Sequence, residues 1–171
     1  MQELEKKRDE SEELIAREET DYELLLAQMD ALAEGVEYEI SNLANAAALL
    51  ADSLSDVNWA GFYVLFGEEL CLGPFVGKPA CTKIAVGRGV CGTAVKEARN
   101  IRVEDVHDFA GHIACDAASR SEVVLPIWKG ERIWGVLDID SPQKARFSER
   151  DEEGLSQFVH ALEHILFGKS G

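Results

Sequence analysis

The stretch EVVLPIWKGERIWGVLDID, residues 122–140, decides the fold class more than any other part of the sequence. It contains two runs rich in branched and aromatic residues, 122–128 and 132–139, joined through Lys129-Gly130-Glu131. Two such runs around a short glycine-containing turn predict an antiparallel β-hairpin. Earlier in the chain, NWAGFYVLF and ELCLGPFV repeat the pattern and predict a second hairpin over 58–76.

Helical patterns flank the two hairpins. Apolar residues at helical spacing predict a first helix with Leu24, Leu25, Met29, Leu32 and Ala33 on its apolar face. A second helix is predicted over 40–54, and short elements over 82–86 (strand), 89–98 (helix) and 101–103 (strand). Ser148 and Asp151 fit a capping box for a last helix that Gly168 ends. This order predicts an α+β fold with a mainly antiparallel central sheet and N- and C-terminal helices packed on it.

Length and charge limit the function classes. The 171 residues fit one domain, predicted over 21–168, after a charged extension over 1–20. The 32 acidic residues outnumber the 17 basic ones, so a nucleic-acid partner is not expected, because phosphate contacts need clustered Lys and Arg. The chain has no apolar run of membrane-spanning length and no apolar signal segment, so we expect no membrane contact and a cytoplasmic location.

Two motif matches are tempting, and we interpret both as incidental. Gly87, Gly89 and Gly92 spell G-x-G-x-x-G, but the antiparallel pattern around them favours turns and close backbone approach over a dinucleotide site. His107, His112 and Cys115, with nearby acidic residues, fit no standard zinc spacing. We therefore expect surface-loop residues there and no metal or other cofactor.

The four cysteines fall into two groups. Cys71 lies in an apolar run and is predicted to be a packing residue. Cys81, Cys91 and Cys115 lie in or beside loops, in KPACTK, GRGVCGTA and HIACDAASR. Cys91 is near the first turn of a predicted helix, where backbone amides and the helix dipole favour a thiolate. Three loop cysteines favour redox or nucleophilic chemistry, but the residues alone do not identify the nucleophile.

Acidic residues form a second candidate group. Asp138 and Asp140 alternate along a strand and therefore point to one face, and Glu122 begins the partner strand. Carboxylates beside a concave site can bind an ammonium group, and one with a raised pKa can donate a proton. The alternative is that they are solubilising charges at strand ends.

A third candidate group is aromatic. Trp59, Gly61 and Tyr63 share one strand face, and the glycine is predicted to leave a slot between the two rings. Core packing is the usual explanation for such an aromatic stripe, and a ligand-binding slot is the alternative.

Together these segments resemble the free methionine-(R)-sulfoxide reductases, which are single GAF domains. The resemblance rests on NWAGFY, GPFVGKPACTKIAVGRGVCGTA, HIACDAASRSEVVLPI and GVLDIDSP, with the three cysteines spaced C-x9-C-x23-C. It implies that Cys115 attacks the sulfoxide sulfur and becomes a sulfenic acid, which Cys81 resolves to a disulfide. Cys91 would be a second resolving thiol or would assist the first step.

The resemblance also implies the substrate contacts and the partners. The residues it assigns to substrate binding are Trp59, Tyr63, Glu122, Asp138 and Asp140. Thioredoxin would regenerate the dithiol, the protein would be a homodimer, and the activity would serve the oxidative stress response. The alternative function is a non-catalytic GAF-type module for small-molecule binding or redox sensing. The three loop cysteines together with the acidic group favour the enzyme.

Overall fold

A computed structural model describes residues 19–111 and 118–168 of the chain. The helices are α1 Tyr22–Ala33, α2 Glu39–Ser53, α3 Gly89–Glu97 and α4 Glu149–Phe167, with a 3-10 helix at Val106–Asp108. The strands are β1 Trp59–Phe66, β2 Glu69–Gly77, β3 Lys83–Ala85, β4 Ile101–Val103, β5 Ser121–Lys129 and β6 Arg132–Ser141. The predicted α+β class is confirmed. The charged extension that we predicted lies almost wholly outside the described residues.

The six strands form one sheet in the order β3-β2-β1-β6-β5-β4, and every neighbouring pair is antiparallel. The two predicted hairpins are β1–β2 and β5–β6, and they join through pairing of β1 with β6. Both hairpin predictions are therefore confirmed, and the two hairpins supply the four central strands.

The sheet separates two hydrophobic cores. On one face, side chains such as Phe62, Leu125 and Ile139 pack with α1, α2 and α4. On the other face, side chains such as Val124 and Val136 pack with α3 and the short edge strands. Because both faces are covered, the central strands are buried on both sides, and the second face holds the candidate site.

The capping signals of α4 are confirmed. At the start of the helix, the Ser148 hydroxyl accepts a hydrogen bond from the Asp151 amide at 3.1 Å, and the Asp151 carboxylate accepts one from the Ser148 amide at 2.9 Å. At the other end, Gly168 follows the last turn. Asp151 also accepts hydrogen bonds from the Tyr22 hydroxyl at 2.7 Å and from Arg146 at 3.0 Å. Burial opposes ionisation of Asp151, but these partners outweigh it and lower its pKa. The carboxylate therefore ties α1 to the start of α4.

The apolar face of α1 differs from the prediction at two positions. Leu24 and Leu32 are exposed by 54% and 42%, whereas Leu25 and Met29 are buried. The reason is that α1 buries the narrow stripe 22, 25, 29 and 33, and Leu24 and Leu32 each lie one residue to the side of it. Their apolar surface is left without a partner within the described chain.

The glycine triplet serves a turn, as expected. Gly87 and Gly89 have φ of +87° and +59°, and Gly92 lies against the backbone carbonyl of Ala85, which leaves no room for a Cβ. The strands on either side, β3 and β4, lie at opposite edges of an antiparallel sheet. The structure thus has no dinucleotide-binding βαβ unit at this point. Among the described helices, none has the length and apolarity that crossing a membrane requires.

Candidate active site

Strand register brings the predicted aromatic and acidic residues to one face of the sheet. In the β1–β6 pair, Trp59 lies opposite Asp140 and Gly61 lies opposite Asp138. In the β5–β6 pair, Glu122 lies opposite Asp140. Directly opposed residues of an antiparallel pair project from the same face. The central strands therefore place two separate sequence motifs side by side.

These side chains open into one pocket of about 580 Å³, its mouth included. Six predicted site residues line it: Trp59, Tyr63, Cys91, Glu122, Asp138 and Asp140. The remaining lining comes from the loop after β2, from Ile84 of β3, from the start of α3 and from Ser119. The pocket is thus enclosed by the sheet on one side and by loops and a helix start on the others.

One wall of the pocket is aromatic. The Trp59 ring stacks on Tyr63 with centroids 5.9 Å apart and on Phe75 of β2 at 5.2 Å. Trp59 Nε1 donates a hydrogen bond to the Lys78 carbonyl at 3.1 Å, and the Tyr63 hydroxyl donates one to the Cys81 carbonyl at 3.0 Å. The two rings therefore line the pocket and also hold the loop that carries Cys81.

The predicted slot over Gly61 is wrong. A Cβ at this position would collide with Phe75 and with the Trp59 ring, so the space is already filled. Trp59 leans over the glycine and stacks on its neighbours instead of standing apart from Tyr63. Phe75 was not among the predicted site residues, and the signal for it was the hairpin register, which places it opposite Gly61.

Beside the aromatic wall, on the same face of the sheet, lies a carboxyl cluster of Glu122, Asp138 and Asp140. Glu122 and Asp138 are buried, and Asp140 is half-buried. Burial raises the pKa of Glu122, and the charges of Asp138 and Asp140 raise it further. Burial also raises the pKa of Asp138, although hydrogen bonds from Glu122 and Cys91 oppose the change. Of these two buried groups, Glu122 is the one more disposed to keep its proton.

Asp138 has a polar atom without a partner. Its Oδ1 is buried and receives no hydrogen bond from the residues that the structure describes. A buried acceptor left in this way costs free energy unless a ligand or water supplies a donor. Because Asp138 lines the pocket, this atom favours binding of a hydrogen-bond donor or a cation there.

Cys91 lies in the first turn of α3, as predicted, but it is not disposed to be a thiolate. Its Sγ is 4.0 Å from Glu122 Oε1, and its side chain is buried. Burial and the nearby carboxylates, Asp138 first, raise the pKa of the thiol well above its usual value. The expected thiolate is therefore wrong, because burial and like charge outweigh the helix dipole.

The other cysteines lie in three different settings. Cys81 is half-buried beside the aromatic wall and is disulfide-bonded, whereas Cys71 and Cys91 carry free thiols. Cys71 lies in β2, as predicted, and is half-buried. Cys115 and His112 lie outside the described residues. His107 is exposed at the surface, 2.9 Å from Asp105, as expected for a surface-loop residue.

The geometry is suited to a small amphiphilic ligand. The aromatic wall offers contact to an apolar group, and the carboxyl cluster offers ionised oxygens to an ammonium group and a protonated one to an acceptor oxygen. A free thiol, that of Cys91, lies in the pocket lining, and the disulfide-bonded Cys81 lies beside the pocket. Binding and thiol chemistry are therefore possible at one place.

Comparison with known proteins identifies the family of this chain. The GAF domain family matches residues 30–166. Protein YtsP of Bacillus subtilis is 57% identical to this chain, and the match covers 86% of this chain and 92% of that protein. A free methionine-R-sulfoxide reductase of Escherichia coli is 54% identical, and the match covers 85% of this chain and 88% of that protein. A solved structure described as the fRMsr of Staphylococcus aureus in complex with substrate aligns with a TM-score of 0.83 at 51% identity, covering 87% of this chain and 97% of that one. The protein is a GAF domain that belongs to the free methionine-R-sulfoxide reductase family.

Proposed function

We propose that this protein reduces free L-methionine-(R)-sulfoxide to L-methionine. The observation that carries the proposal is a single pocket in which a carboxyl cluster, with raised pKa values at Glu122 and Asp138, lies beside an aromatic wall and the Cys91 thiol. It is supported by the Escherichia coli relative, whose name states this activity, and by the structural neighbour described as a complex with substrate.

The substrate's parts match the two walls. Trp59 and Tyr63 hold the methyl group and the side chain. Ionised oxygens of Asp138 and Asp140 bind the ammonium group. Glu122, which keeps its proton because of burial and neighbouring negative charge, donates a hydrogen bond to the sulfoxide oxygen. A pocket that must surround a free ammonium group excludes a residue within a peptide chain.

In the proposed reaction Cys115 is the nucleophile. Its sulfur attacks the sulfoxide sulfur and takes over the oxygen, so that the S–O bond of the substrate breaks and methionine leaves. The cysteine is oxidised to a sulfenic acid and the sulfoxide is reduced to a thioether. The protonated carboxyl group assists because the oxygen gains negative charge as the bond breaks.

The enzyme would be reset through Cys81. Its thiol condenses with the sulfenic acid, releasing water and forming a disulfide, and thioredoxin then reduces the disulfide by thiol exchange. The disulfide-bonded state of Cys81 supports this role, because both other cysteines among the described residues are free. Cys91, with a raised pKa beside Glu122, is a protonated thiol that assists the first step or acts as a second resolving thiol.

We further propose that the protein is a homodimer. Its support is apolar surface without a partner within the described residues: Leu24 and Leu32 of α1, and Tyr38 and Ile40 at the start of α2, are exposed by 42–74%. Light scattering after gel filtration should give twice the mass of one chain, 18.8 kDa. A mass of one chain at micromolar concentration would contradict the dimer.

The deciding assay couples thioredoxin reduction to NADPH consumption. It compares free L-methionine-(R)-sulfoxide, the (S) epimer and a peptide that contains the sulfoxide. We expect turnover with the free (R) form alone. Cys115→Ser should abolish turnover, and Cys71→Ser is the matched control because Cys71 lies outside the pocket lining. Full activity of Cys115→Ser would refute its role.

Cys81→Ser separates the chemical step from the resetting step. This variant should release about one methionine per chain and then stall with thioredoxin as reductant. Sustained thioredoxin-driven cycling would move the resolving role to Cys91. Absence of turnover with all three substrates, in folded and reduced wild-type protein, would favour a ligand-binding module.

A further inference from the structure

Cys91, Glu122 and Asp138 form a compact group of potential metal ligands at the floor of the pocket. One ligand atom from each, a sulfur and two carboxylate oxygens, lies within 4.8 Å of the other two. All three side chains are buried. We propose that this group binds a thiophilic divalent cation of the zinc class, which competes with the substrate for the pocket.

The distances suit zinc. Zinc bonds of about 2.3 Å to sulfur and about 2.1 Å to oxygen place tetrahedral ligands roughly 3.6 Å apart. Cys91 Sγ and Glu122 Oε1 are 4.0 Å apart, so only a small side-chain movement closes the site. Zinc takes the thiolate of Cys91 and the carboxylate of Glu122, so both groups release their protons to solvent on binding.

Two further observations point to a cationic ligand. The buried Oδ1 of Asp138 has no hydrogen-bond donor among the described residues, so it is free to coordinate. Within the same residues no basic side chain forms an ion pair with Glu122 or Asp138, so no cationic group of the protein itself occupies these oxygens. A soft thiolate with two hard oxygens favours zinc over magnesium or calcium, which prefer oxygen ligands alone.

The three ligands are held by different rigid elements. Cys91 lies on α3, Glu122 on β5 and Asp138 on β6, so the site is formed before the cation arrives. Three protein ligands leave the fourth zinc position open towards the pocket. A bound cation would occupy the carboxyl groups that the proposed function assigns to the substrate. The competition between cation and substrate therefore rests on the proposed function, whereas the binding of the cation does not.

Cobalt(II) tests the binding without reference to activity, because it replaces zinc and absorbs in the near ultraviolet when a thiolate coordinates it. Metal-free Cys71→Ser protein should take up one cobalt ion per chain with this band, and zinc should displace it. The double variant Cys71→Ser/Cys91→Ser should lose the band and bind zinc at least about tenfold more weakly. The reason is that loss of a residue that only orients a metal ligand already lowers metal affinity about tenfold or more. Circular dichroism establishes that the variants are folded.

Three results would overturn the proposal: no cobalt band, a band that survives removal of Cys91, or zinc affinity unchanged in Glu122→Gln. In the reductase assay zinc should raise the apparent KM for the sulfoxide without lowering kcat. Inhibition that lowers kcat alone would contradict competition. If the protein turned over no sulfoxide, the cobalt measurement would still decide the binding, and only the proposed function would fall.

Discussion

Replacing Glu122 with glutamine should make the fold progressively more stable relative to wild type as the pH rises, while it impairs catalysis. Burial and the charges of Asp138 and Asp140 raise the pKa of Glu122 in the folded protein. The folded state therefore holds a proton that the unfolded state releases near the ordinary glutamate pKa of about 4.3. Between that pH and the raised folded pKa, wild-type stability falls as pH rises. The amide has no proton to lose, so the variant escapes this loss.

The size of the effect follows from the geometry. Ligand oxygens of Glu122 and Asp138 lie within 4.8 Å of each other. Two unit charges at that separation repel by about 3.5 kcal/mol at an effective dielectric constant of 20. Once the pH exceeds the raised pKa of the folded protein, the free energy of unfolding of the wild type has fallen by about 1.4 kcal/mol for each unit by which the pKa is raised. We expect the stability difference, variant minus wild type, to grow by about 2–3 kcal/mol between pH 4 and pH 8.

Urea unfolding of both proteins at half-unit pH steps measures this difference. Glu68→Gln is the matched control, because Glu68 is exposed on the β1–β2 turn and its amide should give a flat difference. The cost of burying the glutamine amide is the same at every pH, so it shifts the curve without changing its slope. A difference that stays constant, or that falls as pH rises, would refute the account of the carboxyl cluster.

Three further changes test other parts of the structure. Gly61→Ala should lower the free energy of unfolding by about 1–3 kcal/mol in urea melts, because its Cβ meets the β2 backbone; an unchanged midpoint would contradict this packing. Tyr63→Phe removes the hydrogen bond that holds the Cys81 carbonyl. Disulfide formation after methionine release should then be slower by about 2–10-fold, as measured by quenched-flow mass spectrometry. An unchanged rate would show that Tyr63 does not position Cys81. Tyr22→Phe should cost about 1.5–3 kcal/mol at pH 7, since it removes a buried hydrogen bond to a carboxylate. That cost should shrink as pH falls below about 4. The reason is that the pKa of Asp151 is lowered in the folded protein, so its carboxylate stabilises the fold above the ordinary aspartate pKa and loses this effect in acid. A cost that does not depend on pH would contradict this.

The sequence predicted the hairpins because their alternation and turn chemistry are local. The 122–140 hairpin and the Ser148 capping box depend on residues a few positions apart, and both are present. Even the shared face of Asp138 and Asp140 follows from strand periodicity. What local pattern could not give is which strands pair, and the β1–β6 register is what places Trp59 opposite Asp140.

The errors have the same origin. The prediction of a thiolate at Cys91 took account of its own helix alone. In the folded protein, Glu122 and Asp138 raise the pKa of Cys91 from two strands that are distant in sequence. The slot expected at Gly61 considered one strand, whereas Phe75 fills it from the neighbouring one. Electrostatics and packing between elements decide such points, so a single strand or helix cannot reveal them.

A single-turnover measurement is the most direct test of whether this protein reduces the free (R)-sulfoxide with its own cysteines. Reduced protein is mixed, without any external reductant, with an excess of free L-methionine-(R)-sulfoxide or of the (S) epimer, and the methionine released is quantified. The account predicts about one methionine per chain from the (R) form, loss of two thiols per chain, and none from the (S) form. No methionine from the (R) form in folded, reduced protein, or equal release from both epimers, would contradict it.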